Sequence, residues 1–168
     1  MTAEHQDRIV ERCLDDGARQ VAALNEFATA SDQRAVTVAS VYIGAATAIA
    51  AGLIGWFAQG SPPHDLIAAG VVTSGLFYVA AIVCLWTAFP QRTLVAGNPP
   101  EFWRWHLKYR SSYSAALLSQ VEEYERKIIL NSKARATAAW WYRGGAVLGA
   151  VAPAIGVAVF FAVRASAL

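Results

Sequence analysis

The residues that most often carry chemistry are few in this chain and widely separated. Three histidines, His5, His64 and His106, lie in three different segments, and neither they nor Cys13 and Cys84 have the spacing of a metal site or a disulfide framework. The sequence contains no GxxxxGK[ST] or GxGxxG loop to hold a phosphate, and no serine has the surroundings of a catalytic nucleophile. We therefore expect a protein that is not an enzyme and that binds no metal or cofactor.

One carboxylate cluster, formed by Glu122, Glu123 and Glu125, comes closest to an acid–base site. It lies in a segment with a helical pattern and is followed directly by Arg126 and Lys127. Oppositely charged side chains three or four residues apart on a helix form ion pairs. We interpret the cluster as a solvated helix face rather than as catalytic carboxylates.

The positions of the charged residues indicate a membrane protein. The chain has 168 residues, of which 56% are hydrophobic and 15% are charged, whereas ordinary soluble domains have about 25% charged residues. No Asp, Glu, Lys, Arg or His occurs in residues 35–63, 66–91 or 144–163, which are runs of about 30, 26 and 20 residues, and about 20 apolar residues cross a bilayer core. Ion-coupled transporters need ionisable groups at depth, so this class is disfavoured.

The predicted fold class is an all-α membrane protein with three transmembrane helices. Residues 1–34 are expected to be cytoplasmic and to contain an amphipathic helix, since apolar or small residues recur there at heptad-like spacing. Its stripe consists of Val10, Leu14, Gly17, Val21, Leu24 and Ala28. Residues 35–89 are expected to form a transmembrane hairpin, with spans at about 35–58 and 66–89.

The remaining residues are predicted to form a cytoplasmic segment and a third span. Residues 90–143 read as a loop followed by a long cytoplasmic helix, and residues 144–168 as the third transmembrane helix with a short external tail. No Pro or Gly interrupts residues 101–143, so the helix is expected to lead straight into the third span, as one helix of about 50 residues. A break near Arg110-Ser111 is the alternative.

The distribution of basic residues predicts the orientation. Thirteen of the 14 Lys and Arg residues lie in residues 1–34 and 91–143, and Arg164 is the exception. Because cytoplasmic loops carry the excess of Lys and Arg, we expect the N-terminus in the cytoplasm and the C-terminus outside. This arrangement is that of a multi-pass protein of a bacterial inner (plasma) membrane.

Small residues form regular ridges on the predicted spans. Ser40, Gly44, Ala48 and Gly52 recur every fourth residue in the first span, and the third span has Gly145 and Gly149. Such ridges let helix backbones approach closely in lipid. They indicate either a seam between copies in a homo-oligomer or ordinary packing within the chain, and both interpretations stay open at this point.

Aromatic and basic residues alternate in residues 101–110, which include Arg104, Lys108 and Arg110. This pattern is typical of single-stranded nucleic-acid binding, and also of a segment at a membrane surface, where Trp lies among the headgroups and Arg and Lys contact anionic lipid. Two flanking spans favour the membrane surface, so membrane lipids and not nucleic acid are the expected partners.

The ordered motifs resemble those of the Pycsar-type transmembrane effectors of bacterial antiphage defence. Residues 31–35, Ser-Asp-Gln-Arg-Ala, are similar to the Asp-x-Lys-Ala start of their first span, with Arg34 in place of Lys. Residues 89–92, Phe-Pro-Gln-Arg, are similar to their Pro-Arg exit, with Gln91 inserted, and residues 120–133 resemble their late cytoplasmic helix. The two-span SLATT type of effector has a similar layout.

This resemblance implies an oligomerising effector that perturbs the inner membrane after a signal, for which a cyclic nucleotide is the candidate. The expected contacts for the signal or for lipid are Asp32, Arg34, Arg104, Lys108 and Arg110. The alternative is a non-catalytic accessory or scaffold subunit of a membrane complex, which would dock a partner through its cytoplasmic helices.

Overall fold

The described part of the chain is helical throughout its regular structure. The computed structural model describes residues 3–60, 63–89, 94, 97–98, 100–109 and 112–166, without the side chains of 3–7, 9–10, 103 and 107. These residues form four α-helices and no strand, as the all-α prediction requires. The helices are α1 (Ala3–Gln59), α2 (His64–Ala88), α3 (Pro100–Lys108) and α4 (Tyr113–Ser166).

Three of these helices, α1, α2 and α4, are long and apolar enough to cross a membrane. The chain is therefore compatible with a multi-pass membrane protein. The second predicted span, 66–89, agrees with α2 to within two residues at its start and one at its end. The first and third predicted spans lie inside much longer helices, because no helix-breaking residue separates them from the polar segments before them.

Helix α1 runs through the boundary between the predicted amphipathic helix and the first span. Residues 18–43 contain neither Gly nor Pro, and residues 31–34 are helical, so the two predicted elements are one helix of 57 residues. Within the predicted stripe Val21 and Ala28 are buried, Leu14, Gly17 and Leu24 are partly buried, and the side chain of Val10 lies outside the described residues. The helix ends before Gly60, whose φ is +152°.

The two alternatives for residues 101–143 are resolved by a break between α3 and α4. The last turn of α3 is closed by the Tyr109 amide, which donates to the Trp105 carbonyl oxygen at 3.0 Å. Ser112 caps the start of α4, because its hydroxyl oxygen accepts a hydrogen bond from the Ala115 amide at 3.3 Å. From Tyr113 the helix continues for 54 residues, through Pro153, as the expected long helix that leads into the third span.

The chain divides into two compact units that share α1 and α4. We call Met1–Ala30 with Pro90–Ala136 the polar unit, and Ser31–Phe89 with Thr137–Leu168 the apolar unit. In the polar unit the buried apolar residues include Val21, Leu117 and Tyr124. A Cβ on Gly17 would lie 3.4 Å from the Tyr124 side chain, so α1 and α4 approach closely within this unit.

The apolar unit is held together by two small clusters of buried residues. One contains Ala39, Ala81 and Cys84, and the other contains Ala46, Phe77 and Ala152. Tyr42 packs against both clusters, with its ring centroid 5.6 Å from that of Phe77. Alanine dominates these contacts because packing in lipid depends on close approach of the backbones and not on expulsion of water.

Candidate functional site

The ridge of small residues on the first span faces away from the rest of the apolar unit. Ser40, Gly44, Ala48 and Gly52, which we call the outer stripe, are all exposed. A Cβ placed on Gly44 or Gly52 would meet no atom within 4 Å. The Ser40 hydroxyl donates to the Val36 carbonyl oxygen of its own helix at 2.9 Å. The outer stripe is therefore a shallow, nearly featureless strip along α1 with no packing partner in the described part of the chain.

The two glycines of the third span have the opposite environment. Gly145 and Gly149 are buried, and a Cβ on Gly145 would lie 2.8 Å from the Cys84 sulfur. A Cβ on Gly149 would overlap the ring of Tyr42. The Tyr42 hydroxyl donates to the Ala146 carbonyl oxygen at 3.0 Å. These glycines thus allow α4 to pack against α1 and α2 within the chain.

A different set of residues on α1 forms the inward face. Ala35, Ala39, Tyr42, Ala46 and Ile49 follow each other at alternating spacings of four and three, and the three alanines are fully buried or nearly so. A second contact joins α2 to this face, since the Ser74 hydroxyl donates to the Ala46 carbonyl oxygen at 3.1 Å. The sequence analysis missed this face, although its heptad-like spacing was a usable signal.

The residues predicted to contact a signal or lipid belong to both units. Arg34 is exposed and Asp32 is partly buried with an interaction partner, and both belong to the apolar unit. Arg104 and Lys108 are exposed on α3 in the polar unit. Arg110 lies outside the described residues, as do Pro90, Gln91 and Arg92 of the motif that follows the second span.

The polar unit contains a buried polar cluster that the sequence analysis did not predict. Lys127 was assigned to a solvated face, but only 8% of its side chain is exposed. Its ammonium group donates to the Gly97 carbonyl oxygen at 2.5 Å and to the Asn98 side-chain oxygen at 3.3 Å, and it lies 4.0 Å from a Glu123 oxygen. The prediction was wrong for this residue because the segment before α3 folds over this face of α4.

Two further side chains of α4 bind the same segment. Asn131, which is 2% exposed, accepts a hydrogen bond from the Leu94 amide at 3.1 Å and donates to the Leu94 carbonyl oxygen at 2.9 Å. The Tyr124 hydroxyl accepts from the Gly97 amide at 3.2 Å. Gly97 has φ +93°, a conformation that favours glycine. Lys127, Asn131 and Tyr124 thus form an anchor on α4 that binds Leu94, Gly97 and Asn98.

The carboxylate cluster is otherwise a helix surface, as predicted. Glu122 and Glu125 are exposed, and Glu123 accepts two hydrogen bonds from the Arg126 guanidinium, at 2.7 and 3.0 Å. The hydrogen bonds from Arg126 hold the pKa of the Glu123 carboxyl below its usual range. This arrangement stabilises an ionised carboxylate, whereas a general acid would need a raised pKa.

Two aromatic residues of α3, Phe102 and Trp105, pack against its histidine. His106 is buried, with ring centroids 4.6 Å from Phe102 and 4.9 Å from Trp105, both in edge contact. Its Nδ1 atom is buried and has no hydrogen-bond partner among the described residues. Trp105 and Tyr109 are more than half exposed, and their ring centroids lie 4.9 Å apart with the ring planes tilted by 45°. The outer face of α3 therefore presents aromatic rings beside Arg104 and Lys108.

The described residues contain no group of three or more His, Cys, Asp or Glu side chains that could hold a metal ion. Within this part of the chain three features stand out: the outer stripe of the apolar unit, the buried anchor of the polar unit and the aromatic-basic face of α3. Comparison with protein-family models, with curated proteins and with solved structures finds no match for this chain.

Proposed function

We propose that this protein is an oligomerising effector of a bacterial defence system, which perturbs the integrity of the inner membrane when it receives a signal. The observation that carries the proposal is the exposure of the outer stripe. Inside the apolar unit, small residues are used for helix packing, and the outer stripe has the same composition but no partner among the described residues. A second copy of the chain is the partner that such a ridge suits, because two small-residue faces can approach closely.

The mechanism we propose is a change of packing between copies. The outer stripe is shallow and lacks hydrogen-bond donors directed outwards, since the Ser40 hydroxyl is bound to its own helix. Contact along such a face depends on close approach of the helices of two copies. A modest rearrangement of neighbouring copies would therefore open gaps between the copies within the bilayer. Thr47 and Tyr78, whose hydroxyls lie 3.3 Å apart on the exposed surface, are polar groups that such gaps would expose.

The signal is proposed to reach the assembly through the polar unit. We place this unit and the N-terminus in the cytoplasm and the C-terminus on the external side of the membrane. In the polar unit, Arg104 and Lys108 are exposed and are suited to bind phosphate groups, whether of a cyclic nucleotide or of lipid headgroups. Arg34 belongs to the apolar unit and is also exposed, so it is proposed as a separate contact for the same phosphate chemistry. The resemblance of residues 31–35 and 120–133 to the Pycsar-type effectors supports this choice of signal. The proposal places no catalytic step on the protein.

The test of self-association compares two glycines that are equally exposed. Gly44 belongs to the outer stripe, and Gly75 lies on α2; a Cβ on either would meet nothing within 4 Å. The full chain and the variants Gly44→Leu and Gly75→Leu are purified in mild detergent, and their native masses are measured. We expect the wild type and Gly75→Leu to form a homo-oligomer. Gly44→Leu is expected to prevent this assembly. A wild-type monomer, or equal behaviour of the two variants, would contradict the proposal.

The test of the effector activity follows membrane potential in cells. Induced expression together with a cyclic nucleotide signal is expected to depolarise the inner membrane and to arrest growth, and Gly44→Leu is expected to abolish both effects at equal expression. Absence of depolarisation under every signal tried would overturn the effector function, even if the oligomer forms.

A second candidate function, an accessory or scaffold subunit, is favoured by the exposed apolar residues of the polar unit. Phe27, Leu118 and Ile129 are each about half or more exposed, and Leu118 and Ile129 are three helical turns apart on α4, so they share a face. This function predicts stoichiometric co-purification with an unrelated chain, which Leu118→Glu and Ile129→Glu would prevent without changing the mass of any homo-oligomer.

A further inference from the structure

The apolar unit contains a groove that all three of its helices line. Ile49 of α1, Ala69 and Gly70 of α2, and Val157 and Phe160 of α4 contribute to its walls. Its volume is about 320 Å³, and it opens sideways, where Val157 and Pro153 are exposed. This volume is at the lower end of ligand sites, which measure about 300–1,000 Å³, so the groove can hold a segment of a chain but not a whole lipid.

The walls of this lateral groove are hydrocarbon. The one hydroxyl among the lining side chains is that of Thr73, and it donates to the Ala69 carbonyl oxygen of its own helix at 2.7 Å. Water needs two or more polar partners to occupy a cavity, and the lining side chains offer none that is free. The groove lies within the apolar stretches of α2 and α4, so a hydrocarbon chain from the bilayer is the occupant that matches its surface.

A cationic group lies at the end of the groove. The Arg164 guanidinium lies over the ring of Phe160, 5.9 Å from its centroid, and Arg164 is exposed. Arg164 follows Phe160 by four positions on α4, which corresponds to about 6 Å along the helix axis. Among the described residues, no carboxylate lies within ion-pair distance of this guanidinium. An arginine fork is well matched to a phosphate group, with which it forms charge-assisted hydrogen bonds.

We propose that the lateral groove binds one membrane phospholipid, with part of an acyl chain between α1, α2 and α4 and the phosphate at Arg164. The order of the groups fits this ligand: the apolar groove is followed, along α4, by the one basic residue after residue 143. The outer stripe of α1 contributes no residue to the lining. The inference therefore depends on the membrane location of the chain and not on its self-association or effector activity.

The experiment measures lipid retention by native mass spectrometry on the full chain in mild detergent. Dioleoylphosphatidylglycerol is titrated in one series and dioleoylglycerol, which lacks the phosphate, in a second. We expect the wild type to retain one phosphatidylglycerol per chain at collision energies that remove annular lipid. Dioleoylglycerol is expected to bind about tenfold more weakly, since a hydrogen bond to a charged group contributes about 1.5 kcal/mol or more.

Two substitutions of the same kind separate the groove from the rest of the surface. Val157→Phe fills the groove and is expected to lower phosphatidylglycerol retention by about tenfold, which corresponds to about 1.4 kcal/mol, because the added ring occupies the space of the acyl chain. Val147→Phe, at an exposed position of α4 outside the groove, is expected to leave it unchanged. Ala69→Leu, which fills the groove from α2, replaces Val157→Phe in the experiment if that variant does not fold. Equal retention by the groove-filling and control variants overturns the proposal.

The headgroup is tested with Arg164→Gln. This substitution is expected to lower phosphatidylglycerol retention to the level of dioleoylglycerol and to leave dioleoylglycerol retention unchanged. If phosphatidylglycerol retention is the same in wild type and Arg164→Gln, the assignment of the phosphate to Arg164 is wrong and the proposal fails. Failure of this test has no bearing on the native mass of the Gly44→Leu variant, so the two proposals fail independently.

Discussion

The ring of Tyr42 on α1 occupies the space into which a side chain at Gly149 on α4 would project. The same tyrosine donates its hydroxyl hydrogen bond to α4 one turn before Gly149, at Ala146, and stacks on Phe77 of α2. One side chain thus contacts both other helices of the apolar unit. Because it is large and its partner is the smallest residue, the fit between Tyr42 and Gly149 sets how α1 and α4 approach each other.

We expect Gly149→Ala to destabilise the apolar unit. The added methyl group would overlap the Tyr42 ring, and overpacking of this kind costs about 1–3 kcal/mol. Gly144→Ala is the matched control, since Gly144 is exposed and a Cβ there meets nothing within 4 Å. Thermal unfolding of the purified chain in detergent measures the difference. Equal midpoints for the two variants would mean that the contact between Tyr42 and Gly149 does not limit the packing.

The anchor in the polar unit is tested by Asn131→Leu. This substitution keeps the approximate volume but removes both hydrogen bonds to Leu94, which at about 1 kcal/mol each corresponds to about 2 kcal/mol of local stability. Hydrogen–deuterium exchange should show faster exchange of the Leu94 amide. Ser132→Ala, at the exposed neighbouring position, is the control and should leave the exchange rate of the Leu94 amide unchanged. An unchanged rate in Asn131→Leu as well would show that the Asn131 side chain does not protect the Leu94 amide.

Lys127→Met should release Gly97 and Asn98 from α4. Methionine retains the apolar stem but leaves the Gly97 carbonyl oxygen without the ammonium donor, and hydrogen bonds to charged groups contribute about 1.5–3 kcal/mol. The free energy of unfolding of the polar unit is measured by exchange of its slowest amides. Arg126→Met, on the exposed side of the same turn, removes only the exposed pair with Glu123 and should lower this free energy by much less, since exposed ion pairs contribute little to stability. A Lys127→Met protein as stable as Arg126→Met would contradict burial of the lysine.

Acid should weaken the polar unit through Glu123. The Arg126 hydrogen bonds lower the pKa of this carboxyl in the folded chain, so the folded state binds a proton less readily than the unfolded state. The stabilisation is therefore complete above the unfolded pKa of about 4.3 and is lost as the pH falls through the lower folded pKa. Amide exchange between pH 3 and pH 7 measures this loss.

Glu123→Gln provides the comparison for the pH series. The variant should lack the part of the acid-induced loss that Glu123 contributes. At pH 7 it should be less stable than the wild type by that same amount, which is small because exposed ion pairs contribute little to stability. An identical pH profile for wild type and Glu123→Gln would show that the pair with Arg126 has no energetic role.

The positions of three apolar stretches long enough to cross a membrane were predictable from charge alone, whereas the ends of α1 and α4 and the faces that the helices turn inwards were not. Residues 35–63 and 66–91 lack Asp, Glu, Lys, Arg and His, and a backbone segment buried in lipid would have to be helical. The choice between two small-residue faces of α1 depends on partner surfaces that come from α2 and α4. Ala39 and Gly44 differ little in size, yet Ala39 is buried and Gly44 is exposed.

The environment of Lys127 illustrates the same division. Its position on a helix beside Glu123 follows from the local sequence. The absence of Pro and Gly favours a helix there, and on a helix the four-residue spacing places Lys127 next to Glu123. Its burial depends on Gly97 and Asn98, which lie 30 and 29 positions earlier in the chain. No local pattern encodes such a contact, because it requires the glycine with positive φ and α4 to meet in space.

By itself, the sequence determined that this is a helical chain with three stretches long and apolar enough to cross a membrane, that its basic residues are concentrated outside them, and that a break near residue 110 was available. These properties follow from the local physics of charge burial and helix formation. The tertiary structure decided that Tyr42 fits against Gly149, that Lys127 is buried, that the outer stripe is left exposed and that a groove ends near Arg164. Each of these depends on the complementary shapes of segments distant in sequence, which only the packed chain brings together.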